Sequence, residues 1–153
     1  MYVYLIQHAK AKTKEEDPRR GLTGEGIAEA QKCFAFFSRQ NPKVDTIWHS
    51  GKSRAAQTAE LLSGLLGFKG TVSEHASLSP NDDVREIAGV LPGSDRETAI
   101  VGHLPHLAKL ASFLLSGDES TGVIRFRNAG VVCLENDESG WRLCWMVTPE
   151  LVS

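Results

Sequence analysis

Apolar positions in this chain fall into short β-like runs separated by stripes of helical period. Residues 2–7, YVYLIQ, are aromatic and β-branched and predict a buried strand. The polar stretch from Ala9 to Arg20, with many charges and one proline, predicts a loop. Thr23 is placed to cap a helix running to about Gln40, with Ile27, Ala30, Phe34 and Phe37 on its apolar face. Gly24 and Gly26 weaken its first turn, and Asn41-Pro42 ends it. Asp45 to His49 predicts a second strand, Ser50-Gly51 a turn, and the following helix reaches about Leu66. Ala55, Ala59, Leu62 and Leu66 line its inner face, and Gly67 stops it. Thr71 to Glu74 is a short strand; a modest helix opens at Pro80-Asn81, runs to about Leu91 and closes at Pro92-Gly93. Thr98 to Gly102 is a further strand, and Pro105 suits the first turn of a helix striped by Leu107, Leu110, Ala111 and Leu114. Ala129 to Glu135 and Trp141 to Val147 predict an antiparallel hairpin around NDESG.

Alternating β and α elements ending in a hairpin predict an α/β fold: a three-layer αβα sandwich with a mixed, mostly parallel central sheet. There is no repeat or linker, and 153 residues fit a single domain over 1–153. With 41% hydrophobic and 24% charged residues the chain matches ordinary globular proteins. A net charge of −2 supplies no basic patch, which argues against nucleic acid as a partner. No apolar run approaches a membrane span and no leader-like segment precedes the first strand, so a cytoplasmic protein without a membrane partner is expected. Cys33 lies in a helical pattern as a small core residue. If Asn136 pairs with Trp141, Cys133 and Cys144 face each other across the hairpin, although a reducing compartment disfavours a disulfide.

The candidate chemistry lies at three strand ends. His8 in LIQHAKA, Arg54 in SGKSRAAQTAELL and His103 in VGHLPHL each stand where a strand gives way to a loop or helix. Alone, each has a plain structural reading: the histidines as core or capping groups, the arginine as a solvated helix residue. Strand ends of an α/β sheet deliver side chains into a common crevice, and that equivalence favours a functional reading. Two imidazoles and a guanidinium together suit a doubly charged anion, with one imidazole free to act as nucleophile. A metal held by His8 and His103 is disfavoured, because no carboxylate or cysteine has matching spacing. His49 is expected at the core edge, His75 exposed at a strand end, and His106 on the helix surface or the pocket rim. Trp48, Trp141 and Trp145 suit packing.

These segments resemble the histidine phosphatase superfamily, and within it the small bacterial phosphohistidine phosphatases of the SixA type. LIQHAKA resembles the Arg-His-Gly/Ala signature, DPRRGLTGEG the Arg-x-Leu-Thr segment and SGKSRAAQTAELL the Ser-x-x-x-Arg-Ala-x-Gln-Thr block. VGHLPHL resembles the late Gly/Ser-His-x-Pro block, and WMVTP the ending. The resemblance implies a phosphoglycerate mutase-like fold and a phosphate pocket of His8, Arg54 and His103, with Arg20 as a further contact. In that pocket His8 attacks phosphorus while its second ring nitrogen donates to a backbone carbonyl. Arg54 forks onto phosphoryl oxygens, His103 donates to another oxygen, and Ser50 adds a backbone or hydroxyl contact. Water then hydrolyses phospho-His8, with no metal or other cofactor required.

One departure matters. Gln7 stands where the signature has arginine, keeping a donor but losing the charge and the fork. Losing one preorganised donor of this kind costs roughly 3–4 kcal/mol, or about 10²–10³ in rate. Lys10, Lys12 or Arg19 can replace the charge; otherwise the protein is a slow enzyme or a phosphate-binding module. Weakened activity is the favoured reading. The expected substrate is phosphohistidine on a signalling or phosphotransfer protein, with inorganic phosphate as product. The short chain carries no insertion long enough for a lid. The alternative within enzymes is a small-molecule phosphomonoesterase or mutase-like activity, for which Glu74, Asp82 or Asp83 is the candidate acid.

Overall fold

The computed structural model describes residues 1–91 and 95–152. Along the chain run β1 (Tyr2–Gln7), α1 (Gly24–Arg39), β2 (Val44–His49), α2 (Ser53–Leu66), β3 (Val72–Glu74), α3 (Val84–Val90), β4 (Glu97–Gly102), α4 (His106–Ser116), β5 (Val131–Asp137) and β6 (Gly140–Val147). The strands form one sheet in the order β3-β2-β4-β1-β5-β6. β3, β2, β4 and β1 are parallel, and β5 runs against both β1 and β6. The expected mixed, mostly parallel sheet with a C-terminal hairpin is present.

Strand alternation divides the core between the two faces. Tyr4 and Ile6 of β1 pack with Ala30, Cys33, Phe34 and Phe37 of α1 and Ala55, Ala59 and Leu62 of α2. Val3 and Leu5 point the other way, against Ile87 of α3 and Leu107, Leu110 and Ala111 of α4. Helices therefore cover both faces, which makes the three-layer sandwich. The Thr23 hydroxyl accepts the Gly26 N–H at 2.9 Å and caps α1. Gly67 closes α2 in the left-handed region at φ 61°.

Several expectations need correction. Ile27 is 37% exposed and is not part of the core stripe. α3 begins at Val84 rather than at Pro80-Asn81, because Ser79 and Asp82 bond reciprocally in a turn and Asp83 then caps the helix. β5 starts at Val131, not Ala129: Ala129 has φ 62° and the Gly130 N–H turns back to the Arg127 carbonyl. Asp137 pairs with Gly140, so the hairpin loop is only Glu138-Ser139. Asn136 does pair with Trp141, but the register shifts between Leu134 and Cys133, and Cys133 faces Trp145. Cys144 is the extra residue of that bulge, exposed, and all three cysteines are free. His75 is half-buried, its ring 4.2 Å from that of Trp48. The stop expected at Pro92-Gly93 lies outside the described residues.

Candidate active site

Parallel pairing brings the C-terminal ends of β1, β4 and β2 side by side, and the segments leaving them meet. The His8 N–H donates to the Gly102 carbonyl at 3.0 Å, carrying the β1–β4 pairing one residue past Gln7. The Asn128 side-chain amide donates to the His8 carbonyl at 2.8 Å. On the other side, the Ala9 N–H donates to the Thr58 hydroxyl at 3.0 Å, and that hydroxyl donates to the Arg54 carbonyl at 2.7 Å. One helical turn ties the chain leaving β1 to the helix that carries Arg54. Gln57, on the same turn, accepts the Leu22 N–H at 2.8 Å and so anchors the segment that carries Arg20. Gly26 lets α1 press against this arrangement, since a Cβ there would overlap the Lys10 backbone.

The His8 Nδ1 lies 2.7 Å from the Ala9 carbonyl oxygen. A carbonyl only accepts, so Nδ1 carries the hydrogen and Nε2 keeps a free lone pair. Burial holds the His8 pKa below the usual histidine value; Arg54 and Arg20 push the same way, and the Ala9 carbonyl opposes them. The ring is therefore neutral near pH 7.

The His103 ring sits 5.1 Å from that of His8, a separation that one phosphoryl group can bridge. Its Nε2 is 2.6 Å from the Ser50 hydroxyl oxygen, and its Nδ1 is buried without a partner. Burial, followed by the nearby His8, Arg54, Lys52 and His106, pushes its pKa down to about 3. When the Ser50 hydroxyl donates to Nε2 of this neutral ring, Nδ1–H becomes the free donor.

Arg54 has a buried Nε with no hydrogen bond, and burial followed by Arg20 lowers its pKa. Arg20 takes φ 53° in a turn where Asp17 accepts the Arg19 and Gly21 N–H groups. The Arg20 Nε donates to the Lys12 carbonyl. Among the described residues neither Arg20 nor Arg54 forms an ion pair. Two like charges that sense each other and have no carboxylate partner among the described residues suit an anion.

Of the remaining candidates, Gln7 ends β1 with its Oε1 buried and unpartnered. Lys10 is engaged by Glu25 at 2.7 Å and Glu29 at 3.9 Å. Lys12 and Arg19 lie exposed in the loop around Asp17. Lys52 precedes α2, and its charge reaches His103. Asp83 caps α3, and Asp82 holds the Ser79 turn. The Glu74 carboxylate packs against Gly51, next to Ser50. Gln57 and Thr58 are the Gln-Thr of the Ser-x-x-x-Arg-Ala-x-Gln-Thr block, with no role assigned to them from sequence; Lys52 and Asn128 are not singled out there. Helical spacing signals the first two, since residues three and four after Arg54 share its face. Nothing local signals Asn128.

His106 is neither on the helix surface nor on the rim. It is 1% exposed, and both ring nitrogens lack hydrogen bonds. Burial lowers its pKa, with Lys109 adding to the effect and Asp82 and the Ser77 backbone opposing it. His8, His103 and His106 thus all bind protons less readily folded than unfolded. In the window below about pH 6.5 the unfolded chain holds more protons, so stability falls as pH drops from 7 toward 5. Thermal melts across that range should show this, and His106→Leu should flatten the dependence while keeping the melting temperature at pH 7. A steeper loss in the variant would contradict it.

Two imidazoles and two guanidiniums at the strand ends of an α/β sheet suit the binding of a phosphoryl group. A model of the histidine phosphatase superfamily (branch 1) matches residues 3–87, and the chain belongs to that superfamily. Its members are phosphatases. A solved structure of the protein histidine phosphatase SixA complexed with tungstate superposes with TM-score 0.87 at 23% identity, covering 99% of each chain. The putative phosphohistidine phosphatase SixA from Agrobacterium tumefaciens gives 0.79 at 23% identity, covering 97% of this chain and 98% of that one. A phosphoserine phosphatase mutant from Entamoeba histolytica, in complex with phosphoserine, gives 0.72 at 14% identity, covering 97% of this chain and 98% of that one. At these identities the likeness is one of fold. Comparison with curated proteins gives no match. Among the described residues no group of three or more His, Cys, Asp or Glu is placed to hold a metal ion, and no helix is long and apolar enough to cross a membrane.

Proposed function

We propose that the protein removes the phosphoryl group from phosphohistidine on a signalling or phosphotransfer protein in the cytoplasm. The observation that carries this is the cluster itself: a neutral imidazole with a free Nε2 near two guanidiniums that, among the described residues, no carboxylate neutralises. The His8 Nε2 forms a bond to phosphorus as the substrate's P–N bond breaks. The departing imidazole leaves neutral, because its second nitrogen is protonated. Arg54 and Arg20 bind equatorial oxygens, and the His103 ring, held in place by Ser50, donates to a third. Water then attacks phospho-His8, releasing inorganic phosphate and restoring the imidazole. All the positive charge comes from side chains, so the reading calls for no metal.

The placement of Glu74 beside Gly51 favours a second reading, a small-molecule phosphomonoesterase, because an ester's alkoxide needs an acid to leave. Substrate competition in the presence of EDTA separates the two. The first reading expects turnover of a histidine-phosphorylated photransfer protein and little on sugar phosphates. The reverse preference overturns it.

A further inference from the structure

We infer that the apolar seam between α1 and α2 seats the phosphorylated protein, taking an apolar side chain that neighbours its phosphohistidine. This rests on the phosphatase reading above. The α1 periodicity assigns Ile27 to the core, yet the side chain is 37% exposed. With Leu22, Ala56 and Leu61 it lines a groove of about 450 Å³, whose polar side chains are Gln57 and Glu60. The groove lies beside the segment that carries Arg20 and along the helix that carries Arg54. Leu22 stands two residues past Arg20, and its N–H is held by Gln57, which lies about one helical turn beyond Arg54. Gln57, which ties the Arg20 segment to α2, is therefore also a wall of the groove, as is its partner Leu22. A phosphoryl group presented between Arg20 and Arg54 on a protein surface brings that surface against the seam. A small phosphorylated molecule held in the cup has nothing to reach it. An exposed apolar patch beside a charged site is the ordinary anatomy of a recognition surface, with the charges giving orientation and the apolar contact giving affinity.

The test compares two substrates on three proteins. The substrates are phosphoramidate, a small P–N compound, and a phosphotransfer protein phosphorylated on histidine. The proteins are the native chain, Ile27→Lys and Ile27→Leu. Ile27→Lys should lower kcat/KM on the phosphoprotein about tenfold, mostly through KM, as expected for losing one buried aliphatic contact. Phosphoramidate turnover should be unchanged, which also reports intact folding, and Ile27→Leu should behave as native on both substrates. An equal loss on both substrates, or no loss on the phosphoprotein, overturns the inference. So does a native oligomer that sedimentation shows dissociating in Ile27→Lys, since a second copy of this chain then occupies the seam. If the native chain hydrolyses phosphoramidate but not the phosphoprotein, the docking surface fails while the phosphatase chemistry stands. If it hydrolyses neither, the phosphatase reading fails first.

Discussion

Replacing His8 with alanine should lower turnover by at least about 10⁴-fold and abolish retention of labelled phosphate on the chain in acid-free quench conditions. The size of the effect follows from its place in the site. No other group there is both neutral and equipped with a free ring lone pair: one nitrogen of His103 is taken by Ser50, and the arginines are cationic. The fold should survive the change. The backbone at position 8 is held by Gly102 and Asn128, and the next N–H by Thr58, none of which needs the imidazole. A near-native circular dichroism spectrum with unchanged turnover would remove His8 from the chemistry. Loss of turnover together with continued labelling would move the phosphorylated residue elsewhere.

Gln7→Arg should raise kcat by about 10²–10³-fold, the reverse of losing one preorganised donor. Gln7 ends β1 on the face shared by Val3 and Leu5, opposite Gly102, against which Leu107 packs. Its Oε1 is buried with no hydrogen bond, so the carboxamide is poorly satisfied where it stands. A guanidinium there adds a fork toward the cup, but it also adds a third cation near Arg54 and Arg20. The substitution should therefore lower the melting temperature without phosphate and recover it with phosphate, because anion binding favours the folded state. No turnover in either the native chain or the variant would leave a binding module in place of an enzyme.

The layers of this molecule were legible because strand and helix periods differ and the breaks between them carry clear turn residues. The convergence of His8, Arg54 and His103 was legible for the same reason: each directly follows or nearly follows a parallel strand. Boundaries failed where side chains override propensity. Asp82 and Asp83 spend their carboxylates on a turn and a cap, which delays α3, and a one-residue bulge at Cys144 breaks the expected cysteine alignment. His106 looked like a surface residue because three-residue spacing from His103 says nothing about the Ser77–Asp82 segment that packs near it. Asn128 was invisible because its partner, the His8 carbonyl, is 120 positions away in sequence.

The double fastening by Gln57 and Thr58 has a consequence for how this scaffold can vary. A single helix carries Arg54 and grips two lengths of chain that also bond to each other, Lys12 to Gly21 and Thr23 to Lys10, so the spacing among all three is fixed from two directions. Lys12 and Asp17 hold Arg20, whereas Lys14 and Glu15, exposed in the loop between those grips, can change without disturbing that alignment. Novelty in partner choice can accumulate there while the reacting atoms keep their mutual positions.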